Sequence, residues 1–248
     1  MSGLQLWINT AVPVTDSAAA DWAAERFQGT SSQLSGQVPL GFEAYCRILH
    51  RPESSNDVPP PRWADIAAET GAIVHPAVQW HRLLGGTDTD KDLYASWRGF
   101  SPRHGQLDPD SFAALLPHLV DATPDPEGTV FGFWSGHFDV RPGESSGFTQ
   151  SEFDTARYTL AGRKLILLQG NLAAMAEQVT QHPQTVGRFP MVMWPRDRSW
   201  YALSEIDFDS TLVGGRTDLI ESLINDVTLE SFRVPPDLDL SCWGDTVN

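Results

Sequence analysis

Hydrophobic positions repeat with a helical period through much of the first half of the chain. In VTDSAAADWAAERFQG, Ala19, Trp22, Ala23 and Phe27 fall on one face, with Thr15 or Asp16 as N-cap and Gly29 as a stop. RWADIAAETG groups Trp63, Ile66 and Ala67 and closes at Gly71. HPAVQWHRLLGG carries Pro76 in its first turn and Gly85–Gly86 as terminator. DPDSFAALLPHLVDAT takes Asp108 as cap and Pro109 in the first turn, with Phe112, Leu115, Leu116 and Leu119 at helical spacing. Pro117 predicts a kink or an early end there. Between these segments GFEAYCRILH reads as a strand, the proline-rich SSNDVPPP (54–61) as a loop, and residues 87–107 as irregular.

The pattern changes after DATPDPEG (121–128). TVFGFWSGHFD (129–139), KLILLQG (164–170), PMVMWP and SWYALSEIDF read as strands, the last two joined by the charged turn RDR. NLAAMAEQVTQH is a helix capped by Asn171, with Leu172, Met175, Ala176 and Val179 along one face. TLVGG leads into a last helix capped by Thr217, with Ile220, Leu223 and Ile224 inward. No internal repeat is present. The order predicts an α+β protein, with helices mainly in the N-terminal half and a mainly antiparallel sheet with flanking helices in the C-terminal half. Residues 1–248 are expected to form a single domain, with 121–128 as the candidate place for a subdivision.

Composition narrows the partners. Against 17 Lys and Arg stand 32 acids, a formal charge of −15. Such a surface repels phosphate backbones and anionic membranes, so neither nucleic acid nor membrane is an expected partner. The amino-terminal segment lacks a basic stretch followed by a long apolar one, and no apolar run approaches the roughly 20 residues of a bilayer span. Two cysteines, Cys46 and Cys242, suit a reducing cytoplasm better than a disulfide scaffold. The nine tryptophans serve either a large aromatic core or a stacking surface for glycans.

Candidate chemistry concentrates in SWYALSEIDFDSTLVGG (199–215), where Glu205, Asp207 and Asp209 alternate. On a strand they would share one face with Tyr201 and Leu203, opposite Trp200, Ala202, Ser204, Ile206 and Phe208. Neighbouring carboxylates would lie roughly 6.5–7 Å apart. Their repulsion is about 0.6 kcal/mol in water and about 2.4 kcal/mol at an effective dielectric of 20, so burial decides between a wet edge and a site. Arg196 and Arg198 are the natural partners of these acids. Trp194 and Trp200, with the same two arginines, are the candidate binding residues. His137, on a parity with Ser135 and Phe133, joins Glu205 and Asp207 as a candidate catalytic residue.

Other motifs are weaker. GESSG (143–147) matches the G-x-S-x-G form but lacks the strand–elbow–helix flanks that expose a nucleophile. DTDKD (88–92) imitates the start of a calcium loop, yet Leu93 replaces the required glycine and Gly99 the closing glutamate. His75 and His81 are six apart, which is not a ligand spacing, and His50 belongs to a strand exit. Neither a dinucleotide fingerprint nor a P-loop is present. No metal or cofactor is expected.

GFEAYCRILH, RWADIAAETGAIVHPAVQW, FGFWSG and WPRDRSWYALSEIDFDSTLVGG, in that order, resemble an uncharacterised family of actinobacterial cytoplasmic proteins over most of residues 38–232. The resemblance implies a bacterial cytoplasmic protein and assigns no particular activity. The expected role is a cytoplasmic interaction or binding protein without enzymatic activity, its partner a protein or a small molecule. The alternatives are a hydrolase or metal-assisted enzyme on Glu205 and Asp207, and a glycan binder using exposed tryptophans.

Overall fold

The computed structural model describes residues 11–16, 18–54, 59–87, 90–137, 140–143, 149–181 and 188–248. Its centre follows from strands that are apolar on both faces. Ile166 and Leu168 turn one way and Leu165 and Leu167 the other, all buried, because successive strand side chains alternate. Such a strand needs cover on both sides.

Among the described residues, nine strands form one antiparallel sheet. Its order is β1 (Ala11–Pro13), β7 (Arg163–Gly170), β5 (Thr129–Trp134), β8 (Val192–Trp194), β9 (Tyr201–Leu203), β10 (Ser210–Gly215), β2 (Ala44–Leu49) and β11 (Ser231–Val234). Strand β6 (Arg157–Leu160) pairs with the start of β7, and β3 (Glu53–Ser54) with β4 (Phe100–Ser101) makes a separate ribbon. One face is covered by α5 (Pro109–Asp121), α7 (Leu172–Gln181) and α8 (Thr217–Asn225). Leu115, Leu119, Met175, Val179 and Ile220 belong to one buried cluster with Phe131, Phe133, Ile166 and Val213. The other face is covered mostly by irregular chain. Here Trp22, in α1 (Asp21–Ala24), joins Leu34, Val38, Leu238 and Leu240 in a cluster with Leu167, Trp194, Tyr201 and Leu212. A third cluster gathers Trp63 and Ile66 of α2 (Trp63–Thr70), Trp80 and Leu83 of α3 (Trp80–Leu83), and Leu49. Helices α4 (Asp90–Leu93) and α6 (Gln150–Thr155) are short.

The fold is α+β and dominated by its sheet. Helices occur on both sides of residue 128, and so do strands of the sheet. Residues 121–128 do not divide the core, since β2 lies between β10 and β11, and α5 packs on α7 and α8. Among the described residues no helix is long and apolar enough to cross a membrane.

Several elements differ from the sequence pattern for identifiable reasons. STLVGG, which does lead into the last helix, is itself an interior strand. Its glycines are required by packing, because a Cβ at Gly214 would meet the Phe42 ring at 2.6 Å. The following helix has Arg216 as N-cap, and Thr217 N donates to Glu43. Helix α5 runs through Pro117, with Leu115, Leu116 and Leu119 buried around it. Asp108 and Asn171 do cap their helices, accepting from Ser111 N and Ala174 N. Pro76 lies outside α3, in a loop whose carbonyls are taken by Arg47.

A polar chain crosses the interior of the sheet. His50 is fully buried, with Nδ1 2.8 Å from the Arg103 carbonyl and Nε2 2.8 Å from Thr211 Oγ1, itself 2.6 Å from Ser204 Oγ. A carbonyl only accepts, so the proton sits on Nδ1, and Nε2 accepts from Thr211. Burial lowers the pKa of His50 from its ordinary 6.5 to about 4, outweighing the Arg103 bond and the Asp209 charge. The unfolded chain therefore binds the extra proton first as pH falls below 6.5. The contribution is fully present above pH 6.5 and is lost as pH falls from there towards 4. Denaturant titration should show about 3 kcal/mol lost from this group between pH 7 and pH 4, with a correspondingly flatter profile in His50→Gln.

Candidate functional site

Strand β9 ends at Leu203, and residues 204–209 form the connection to β10. The period-2 alternation therefore does not extend to the acids, and each meets a different environment. Glu205 is 3% exposed. Its Oε1 accepts from Arg163 Nε at 2.5 Å, and its Oε2 from the backbone N of Asp207 at 2.6 Å. The same guanidinium reaches Asp207 Oδ2. The Glu205 bond is the main reason that Arg163 is held above its already high range. Drawn to Arg163, at the start of β7, the Glu205 carboxylate pulls the chain out of the sheet and closes a turn in which Phe208 N donates to Glu205 O.

The expected partners of these acids are engaged elsewhere. Arg196 pairs with Asp125 at 3.3 Å and packs over Gly128. Arg198 takes φ 59° and lies 5.3 Å above the Trp22 ring. Trp194 is buried, stacked on Tyr201 at 5.9 Å, and Trp200 is buried with Nε1 donating to Thr123 Oγ1 at 2.8 Å. Neither tryptophan offers a stacking surface. His137 lies beyond the end of β5, edge-on to Trp134 at 4.8 Å. It lines a cleft of about 250 Å³ with Glu53, Arg103, His104 and Ile206, in which Glu205 and Asp207 take no part. The three candidate catalytic residues are thus not brought together. Ser145 of GESSG and the start of DTDKD lie outside the described residues.

The third acid has the more consequential role. Asp209 Oδ1 accepts from Arg47 Nη2 at 3.0 Å. Arg47, on β2, is 1% exposed. Its Nε donates to Ser210 Oγ at 2.9 Å, and Nη1 to the carbonyls of Pro76 (3.1 Å) and Val78 (2.9 Å). A permanently charged guanidinium is tolerable in such burial only with this degree of satisfaction. Above it opens a cleft of about 310 Å³, lined among others by Gln79, His81, Tyr94, Asp207, Asp209 and Cys242. The carboxy-terminal tail forms part of its wall and is anchored by Asp245. That carboxylate accepts from His75 Nε2 at 2.9 Å and from Gln79 N at 3.2 Å. Burial alone would raise its pKa, but bonds from Asn248, Val247 and Gln79 outweigh that and hold it at about 2.

A second constellation had no motif to announce it. His118 Nδ1 lies 3.0 Å from Ser222 Oγ, and Nε2 2.9 Å from Asp226 Oδ2, beside a cleft of about 360 Å³. Ser222 donates to the Leu219 carbonyl at 2.8 Å, so it faces His118 as an acceptor with no proton to give. The trio staples α5 to α8. Burial opposes ionisation of Asp226, yet bonds from His118 and Thr228 lower its pKa. Among the described residues no group of three or more His, Cys, Asp or Glu is placed to hold a metal ion.

Comparison with protein-family models, curated proteins and solved structures finds no match.

Breaking a buried ion pair costs about 3–5 kcal/mol. Arg163 is 29% exposed, so water recovers part of this. Glu205→Gln should lose about 2 kcal/mol in chemical denaturation, well above the roughly 0.5 kcal/mol of a solvated position. Phe208→Ala, at a half-buried ring, should fall short of the about 3–5 kcal/mol of an enclosed one. A loss below about 0.5 kcal/mol for Glu205→Gln would contradict the ion pair.

Proposed function

We propose that this is a cytoplasmic interaction protein without enzymatic activity, whose acidic surface engages a basic region of a protein partner. The observation that carries the reading is the engagement of Glu205 and Asp207 by a single guanidinium, that of Arg163, which leaves one negative charge uncompensated. A general base needs a proton-accepting carboxylate in reach of a substrate, and a metal site needs several converging oxygens. Glu205 is spent on holding a turn, and Asp207, on the same guanidinium, stays exposed at the surface.

The other reactive groups fit the same reading. Cys46 is buried, which pushes its thiol up to about 12, away from the nucleophilic thiolate. His50 is enclosed and has both ring nitrogens engaged. Cys46 and Cys242 are both free, which suits a reducing compartment. A glycan-binding role is not favoured, because Trp194 and Trp200 are core residues and leave Trp243, 61% exposed, without them as a stacking surface. With a formal charge of −15, the protein attracts cationic partners at long range and repels anionic ones.

Isothermal titration with a twelve-residue lysine–alanine peptide at 150 mM salt should give saturable one-to-one binding that weakens as salt rises, and a glutamate–alanine peptide should give none. Mg²⁺, Mn²⁺ and Ca²⁺ should leave Tm unchanged. A site-specific cation at 100 times its Kd would add about 2.7 kcal/mol, so a saturable rise in Tm that is lost in Asp207→Asn would favour the metal-assisted enzyme instead. Absence of any peptide binding would overturn the reading.

A further inference from the structure

The cleft above Arg47 contains a group that the fold leaves unfinished. Gln79 is 9% exposed and lines the cleft, and its buried carboxamide Nε2 has no hydrogen-bond partner. Its backbone N is satisfied by Asp245, so the loop is held in place independently of the side chain. An unpaired buried donor destabilises a fold. A leucine or methionine would fill the space without that penalty. A carboxamide at this position makes sense when something outside the described chain supplies an acceptor oxygen.

The charges around it state what else that something carries. Glu205, Asp207 and Asp209 face the guanidiniums of Arg47 and Arg163, three carboxylates against two cations. One negative charge is left over. Asp207 is exposed at the mouth, and Asp209 uses Oδ1 on Arg47. Tyr94, 85% exposed, also lines the cleft. An acceptor oxygen beside a cation describes a basic residue within a peptide, whose own backbone carbonyl is the oxygen. A free anion would supply the acceptor but meet the excess carboxylate.

We propose that the Arg47 cleft docks a basic segment of a protein partner, with its lysine or arginine cation held by Asp207 and Asp209 and a backbone carbonyl accepting from the Gln79 carboxamide. This rests on the interaction reading above and adds to it the site and the recognition chemistry. Arg47 is a positioning residue here. It fixes Asp209 and the carbonyls of Pro76 and Val78, and so fixes where Gln79 stands. Tyr94 adds an aromatic face for the cation's stem.

The test uses the full chain and the tetrapeptide Ac-Ala-Lys-Arg-Ala-NH2, with Ac-Ala-Gln-Gln-Ala-NH2 as uncharged control, followed by NMR shift titration. The basic peptide should shift Gln79, Tyr94 and Ser210 saturably and bind at least fivefold tighter than the control. Gln79→Leu should weaken it at least fivefold while raising Tm by about 2–4 °C, a combination that a purely structural glutamine does not produce. Asp207→Asn, at an exposed position, should weaken it at least threefold with the fold intact. A lower Tm with unchanged affinity in Gln79→Leu would overturn the proposal. If the tetrapeptide leaves the cleft unshifted while the twelve-residue lysine peptide still binds, the cleft is wrong and the acidic-surface reading survives. If neither binds, both fall.

Discussion

The buried guanidinium of Arg47 is the constraint on which this end of the molecule depends. It sits on β2, in the register that pairs Arg47 with Leu212 of β10 and Phe232 of β11, so both neighbouring strands flank it. It cannot shed its charge, and almost none of it is exposed to water. Everything that must satisfy it is therefore fixed: Asp209 at the end of the β9–β10 connection, Ser210 at the start of β10, and the carbonyls of Pro76 and Val78. Taking those two carbonyls holds residues 76–79 as a turn, closed by Val78 N donating to His75 O, and an extended Gln79, although Pro76 looks like the first turn of a helix.

A second arginine shapes the other half of the same connection. Arg163 pulls Glu205 and Asp207 toward β7 and ends β9 after Leu203. The two arginines divide the acids of EIDFD between them, and the cleft opens beside Asp207 and Asp209. On the proposed reading, structure and binding chemistry are continuous here, since the charge left over after both arginines are paired is what a cationic partner would meet.

Much of the architecture was legible in the chain. Period-3.6 spacing located α2, α5, α7 and α8, and Asp108 and Asn171 cap where their positions imply. Dense apolar runs located β2, β5 and β7. The acidic stretch was legible as the place of interest, but its geometry was not. Arg163 lies 42 residues from Glu205, and Arg47 162 residues from Asp209. Local sequence names only near neighbours such as Arg196 and Arg198. Strand β10 was hidden because the glycine pair of TLVGG reads only as the approach to the last helix, whereas Gly214 answers to the Phe42 and Tyr45 rings and Gly215 to Leu219 and Trp200. Trp194 and Trp200 show the same limit, as aromatic residues beside a charged turn serve a core and a surface equally well by pattern. Gln79 carries no sequence signal. Only the absence of a partner for its amide, which requires the fold, marks it out.

The central claim is that Arg47 organises the loop and the cleft through its hydrogen bonds and not merely through bulk or charge. Native-state hydrogen exchange of Arg47→Lys measures this directly, because lysine keeps the charge but cannot span the Asp209 carboxylate, the Ser210 hydroxyl and two carbonyls at once. The amides of Val78, Gln79 and Leu83, bonded to His75 O, Asp245 and Gln79 O, should exchange at least tenfold faster than in the parent. Those of Leu167 and Met191, in and beside the opposite end of the sheet, should change little. Equal protection at residues 78–83 in variant and parent would contradict the account.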